Sequence, residues 1–138
     1  MVELTAQEAV SRVREDEFRL GLIDQQLRAL AQLLDEVRVT RVTLEELPRK
    51  AAESLVPFHG VFVPAKVGGD SVGIDVGAGV VVEKTVDEAI DFLKKREKLL
   101  GDNVSQLQVS AQRIAAEMAE IQAKLNEFVQ ARQNQPAG

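Results

Sequence analysis

One stripe of residues constrains this chain more than any other feature. Stepping alternately by three and four residues from Ile90 lands on Leu93, Glu97, Leu100, Val104, Leu107, Ala111, Ile114, Met118, Ile121, Leu125 and Phe128. All but Glu97 are apolar over more than five heptads, which is the a/d seam of a coiled-coil strand. Lys, Arg, Glu, Gln, Asp and Asn dominate the positions between, so one narrow stripe is dry and the rest is wet. At 1.5 Å per residue such a helix is roughly 60 Å long, too long to be wrapped inside a single small globule.

The N-terminal half carries a looser version of the same pattern. Leu20, Ile23, Leu27, Leu30, Leu34 and Val37 follow the steps, Arg41 interrupts, and Leu44 resumes; upstream the seam passes through Asp16 to Val13. The β-branched residues of "RVTRVTLEELP" weaken the helix, and Pro48 disfavours helical geometry at Leu47. Helix is therefore expected over 5–47. A second begins at Thr85-Val86-Asp87-Glu88, a T-x-x-E capping box whose two acids also suit the positive end of the helix dipole, and runs over 86–130. The polar segment 131–138 reads as a disordered tail.

Between the helices the chain changes character. Six of the nine glycines fall here among many valines, which reads as short strands separated by turns. Strands are expected near Ser54 to Val56, at Val61 to Lys66, at Ser71 to Val76 and at Val80 to Lys84, so the hairpin region spans 54–84. Gly68-Gly69-Asp70 and Gly77-Ala78-Gly79 supply positive φ for tight turns. Pro64 donates no ladder hydrogen bond and suits an edge or bulge. The fold class is α+β: a long antiparallel two-helix coiled coil joined by two β-hairpins, four short strands in all, within one domain over 1–138. If residue 47 lies level with residue 86, both free ends meet at one tip, away from the strands.

Composition excludes several functions. With no Cys, no Trp, no Tyr and one His among 138 residues, there is little from which to build a side-chain metal site. Twenty-two acidic residues against 17 basic give a net charge of −5, so a nucleic acid is repelled rather than steered in. No apolar run approaches the roughly 20 residues that span a bilayer, and "MVELTAQEAV" lacks the apolar core of a signal peptide. A soluble, cytoplasmic protein is expected, with neither nucleic acid nor membrane as partner.

"GIDVGAG" at residues 73–79 could be a phosphate-binding loop or a hairpin turn. The loop reading makes the protein a nucleotide-using enzyme, but this chain lacks room for a second lobe and shows no acidic metal-binding partners; the turn reading needs only its glycines. His59, in Pro57-Phe58-His59-Gly60, has no companion ligand or nucleophile and reads as a solvated turn residue. No catalytic residue, cofactor or metal site is assigned. Two surfaces remain. Val2, Leu4 and Val10 on one arm, with Leu125, Phe128 and Val129 on the other, are more apolar than a frayed end needs and either staple the ends together or bind a partner. Four short strands with open edges cannot close a core alone, and an oligomer assembled through them is the economical answer.

The helix, double hairpin, helix layout, with "VFVPAKV" (61–67) and "VGAGVVVEKTVDEAIDFLKKR" (76–96), resembles the archaeal-type prefoldin alpha subunit over essentially the full length. The resemblance implies an ATP-independent holdase. In that family two alpha and four beta subunits join their hairpins into a double β-barrel platform carrying six coiled-coil tentacles, whose tips hold unfolded polypeptide clients for delivery to a group II chaperonin. The alpha type has two hairpins and the beta type one. Carried onto this sequence, Val61, Phe62, Val63, Ala65, Val67, Val72, Ile74, Val76, Val80 and Val82 would form the oligomer interface, and Val2, Leu4, Val10, Leu125, Phe128 and Val129 the client-binding tips. Arg41 and Glu97 depart from a strictly apolar seam. A filament-forming relative would use the same strands to polymerise and is the alternative.

Overall fold

The computed structural model describes residues 5–134. The order is α1 (Ala6–Glu46), β1 (Ala52–Phe58), β2 (Val61–Val67), β3 (Ser71–Gly77), β4 (Val80–Thr85) and α2 (Val86–Gln133). Both helices and all four strands expected from periodicity are present. Two elements, β1 and α2, differ by more than one residue at a boundary. β1 begins at Ala52 because β2 pairs along its whole length, from Ala52 opposite Val67 to Phe58 opposite Val61. α2 continues through Gln133 rather than ending at 130, since Ala131, Arg132 and Gln133 are good helix formers despite their polar surroundings.

The chain divides into two compact units, Met1–Ala31 with Asp102–Gly138, and Gln32–Gly101. In the first unit α1 and α2 run antiparallel, with Val13, Leu20, Ile23, Leu27 and Leu30 turned inward on α1 and Leu107, Ile114, Met118, Ile121 and Leu125 on α2. Ala9 and Ile121 are buried. Thr5 caps α1: Glu8 N–H donates to Thr5 Oγ1 at 3.2 Å while Glu8 Oε2 accepts from Thr5 N–H at 3.1 Å, a reciprocal box that the sequence reading passed over.

In the second unit the later part of α1 packs on the start of α2 through Val37, Leu44, Ala89, Leu93 and Leu100, where each buried leucine contributes about 2 kcal/mol. The β-branched run does not break α1, and within it Thr40 and Thr43 donate their hydroxyls to the carbonyls of Glu36 and Val39, at 2.8 and 2.7 Å. Val86, only 1% exposed, opens α2; beside it Glu88 N–H donates to Thr85 Oγ1 at 3.1 Å. The linker between the hairpins is stitched to both helix ends. Gly69 N–H donates to Pro48 O and Val86 N–H donates to Asp70 O, both at 2.9 Å. Gly68 comes so close that a Cβ there would lie 2.6 Å from Pro48 O, and its φ is +127°, so only glycine fits.

β1 and β2 form one antiparallel two-stranded sheet, β3 and β4 another. The first hairpin turns at His59-Gly60 with φ of 47° and 83°, the second at Ala78-Gly79 with 53° and 75°, the doubly positive φ of a turn that matches strand twist. In the second hairpin a bulge between Asp75 and Gly77 leaves Val76 without a direct partner.

Candidate interaction surfaces

Both hairpin tips leave apolar residues uncovered. In β1–β2, Leu55, Phe58, Val61, Phe62 and Val63 are all exposed, Phe62 by 61%. Side chains alternate across a strand, so consecutive exposed apolar residues from Val61 to Val63 mean that neither face of this hairpin end is covered. A two-stranded ribbon in that condition is not stable by itself and presents open edges. Val76, Val80 and Val81 continue the exposure on the second hairpin.

The ten strand positions expected at an interface therefore fall into two groups. Val61, Phe62, Val63, Val76 and Val80 are exposed. Ala65, Val67, Val72, Ile74 and Val82 are half-buried, with Val72 and Ile74 lining a cavity closed by Leu44, Ala89, Phe92 and Leu93 of the unit's own helices. One face of the second hairpin thus anchors it to the helix ends. Sequence reading missed Leu55, Phe58 and Val81; the pairing of β1 along all of β2, which would have flagged the first two, shows no alternation in "AESLVPF" to betray it.

The ends of the arms are less complete. Val2 and Leu4 lie outside the described residues. Val10, Phe128 and Val129 are exposed, while Leu125 is half-buried in the helix seam. Phe18, 70% exposed on α1, is the most exposed of the large apolar side chains described and was not anticipated, because it sits off the seam where composition alone gives no signal.

Arg41 and Glu97 each interrupt a seam, and in the second unit they meet. Arg41 on α1 donates through Nε to Glu97 Oε2 and through Nη2 to Glu97 Oε1 at 3.3 Å, a bidentate fork. Arg38 Nε adds a contact to Glu97 Oε1 at 3.3 Å, and Glu45 engages Arg41 Nη1 at 3.0 Å. The hydrogen bonds from Arg41 hold the Glu97 carboxyl below its usual range, against the opposing pull of partial burial. In the first unit Arg12 Nη2 donates to Glu117 Oε1 across the helices at 3.0 Å.

"GIDVGAG" forms the end of β3 and the turn into β4. Asp75 Oδ1 accepts from Gly77 N–H at 2.9 Å, so the one acid in the loop is spent on shaping the loop. His59 stands exposed in the other turn. Among the described residues no group of three or more His, Cys, Asp or Glu is placed to hold a metal, and no helix is long and apolar enough to cross a membrane.

Comparison with known proteins fits this geometry. The prefoldin subunit family model matches residues 16–131. Prefoldin subunit alpha of Methanococcoides burtonii is 30% identical over 125 residues, covering 88% of this chain and 91% of that protein. Prefoldin subunit alpha of Archaeoglobus fulgidus is 31% identical over 127 residues, covering 89% of this chain and 93% of that one. A crystal structure of the prefoldin beta subunit from Thermococcus strain KS-1 matches with a TM-score of 0.69 over 99% of this chain and 98% of that chain, at 19% identity, a likeness of fold.

Proposed function

The chain belongs to the prefoldin family of chaperone subunits, and from that premise we propose that it is the alpha-type subunit of an ATP-independent holdase. The observation that carries this reading is the pair of hairpins with apolar residues bare on β1, β2, the end of β3 and the start of β4, surface that pairing with other subunits would cover. The proposed partners are beta-type prefoldin subunits, two alpha with four beta, their strands closing a shared β-barrel platform. Val61, Phe62, Val63, Val76 and Val80 are then the contacts between subunits, and Val72, Ile74 and Val82 set the angle of the second hairpin.

Client polypeptides are proposed to bind at the arm ends through Val10, Leu125, Phe128 and Val129, with Val2 and Leu4, and to pass to a group II chaperonin. Weak apolar contacts repeated on several arms give avidity without a fuel-driven release step. The acidic surface keeps such an assembly soluble.

Light scattering of the purified chain, alone and mixed with a prefoldin beta subunit, tests the assembly. A particle of fixed mass near six subunits on mixing is expected, with Phe62→Glu preventing it while helix content is retained. Open-ended growth of the chain alone would instead make it a filament former, and a chain indifferent to the beta subunit would refute the assignment. Removing residues 1–10 and 125–138 tests the arm ends: assembly should survive and suppression of client aggregation should fall.

A further inference from the structure

We propose that the Asp16 carboxyl, buried in the seam without a hydrogen-bond donor, couples the packing of α1 against α2 in the first unit to pH, tightening it when the proton is held and loosening it when the proton is lost. This goes beyond the chaperone reading and does not depend on it.

Asp16 occupies a seam position between Val13 and Leu20 and is 0% exposed. Neither carboxyl oxygen receives a hydrogen bond. The nearest cation is Arg19 on the same helix, its Nη1 4.0 Å from Asp16 Oδ1, with a side chain more than half in solvent. Across the seam stands another acid. Glu117 on α2 is the acid that raises the Asp16 carboxyl from across the seam, and its Oε1 already accepts from Arg12. The charged groups around the pair are thus Arg12, Glu15 and Arg19 on α1 and Glu117 on α2, with Arg113 and Glu120 about one turn to either side of Glu117.

An ionised Asp16 in this place is a charge without a donor, facing a like charge, and both conditions are unfavourable. A single proton removes both. Protonated Asp16 carries no charge to oppose Glu117 and has a proton of its own to donate. Burial first, and Glu117 second, push the Asp16 carboxyl up from its ordinary value, while Arg12 and Arg19 pull it back.

The sign follows from linkage. Below the unfolded value, about 3.9 for Asp, the group is protonated in both states and imposes nothing. As pH climbs from there through the raised folded value, the packed form binds more protons than the unpacked form, so local stability falls. Above the raised value the whole unfavourable contribution is present. Polar atoms at a seam position can also serve register alone, but a register role would not make packing follow pH.

The test uses the full chain. The Asp16 carboxyl carbon is followed by NMR against pH, and amide exchange, corrected for its intrinsic pH dependence, is mapped over residues 6–20 and 115–130 for the wild type and Asp16→Asn. The wild-type carboxyl should titrate above 3.9 or so, with opening of these segments rising about tenfold for each pH unit by which its midpoint is raised. Asp16→Asn should abolish that slope and exchange more slowly at neutral pH, and Glu117→Gln should move the Asp16 midpoint down. An Asp16 that titrates at or below the ordinary value, or a slope that persists in Asp16→Asn, overturns the proposal. The wild-type titration alone decides the matter if the variant folds poorly.

Discussion

The two units treat an acid in the helix seam in opposite ways. In the second, Glu97 points across the interface at Arg41 and Arg38 and is held by a fork of hydrogen bonds. In the first, Asp16 is buried opposite Glu117 with no hydrogen bond and only Arg19, 4.0 Å away, for a counter-charge. Both are carboxylic acids in the same kind of seam, and the pKa moves down in one case and up in the other. A carboxylate between two helices is tolerated when a guanidinium lies opposite; when another carboxylate lies opposite, it waits for a proton. The contrast also gives the units opposite responses to acid. Glu97 contributes stability that is present above its unfolded pKa and is lost as pH falls through its depressed folded value, whereas protonation of Asp16 relieves the first unit.

The largest effect should come from removing one member of the well-paired site. Glu97→Leu strands Arg41 and Arg38 on a partly covered surface and should lower the thermal midpoint by several degrees, whereas Arg41→Leu combined with Glu97→Leu should recover most of that loss. A double variant as unstable as the single one would show that the fork adds nothing beyond packing. Next in size, Asp16→Leu should raise the neutral-pH midpoint, because it exchanges an unpaired buried charge for an apolar side chain; a lower midpoint would mean that Asp16 is satisfied as it stands. Asp16→Arg would import the second unit's solution by giving Glu117 two guanidinium partners, as Glu97 has. The pH slope of exchange in the first unit should then reverse, with protection lost on acidification below about pH 4.

Smallest, the helix caps should respond alike in both units. Thr5→Ala and Thr85→Ala should each lose about 1 kcal/mol, seen by denaturant unfolding at neutral pH. A much larger loss at Thr85 would mean that its cap also holds the hairpin linker, since the neighbouring Val86 N–H is bonded to Asp70 O.

Much of the fold was legible because it is periodic. The stripe from Ile90 to Leu125 is buried or half-buried at every position that the three-and-four stepping names, since spacing along a helix is set by local geometry and needs no knowledge of a partner. The turns were legible for the same reason. Ala78-Gly79 and His59-Gly60 take positive φ at the Gly-rich breaks between valine runs, and Thr85 to Glu88 announces the start of α2 on its own. Less of the surfaces could be read. Phe18 and Val81 look like any other apolar residue until nothing is found to cover them, and Val72 and Ile74 look like Val61 and Phe62 until the helix ends are found against them.

By itself, then, the sequence determined two long helices, two hairpins and the stripe along which the helices bury themselves, all consequences of interactions within a few residues. Only the tertiary structure decided what lies across each stripe. Arg41 and Glu97, 56 positions apart, read as two separate defects in two seams until they face each other and become one ion pair. Asp16 read as mere loosening until it was found fully buried with no hydrogen-bond donor. The hairpin linker is likewise stitched to Pro48 and Val86 by contacts which no pattern along a single helix contains.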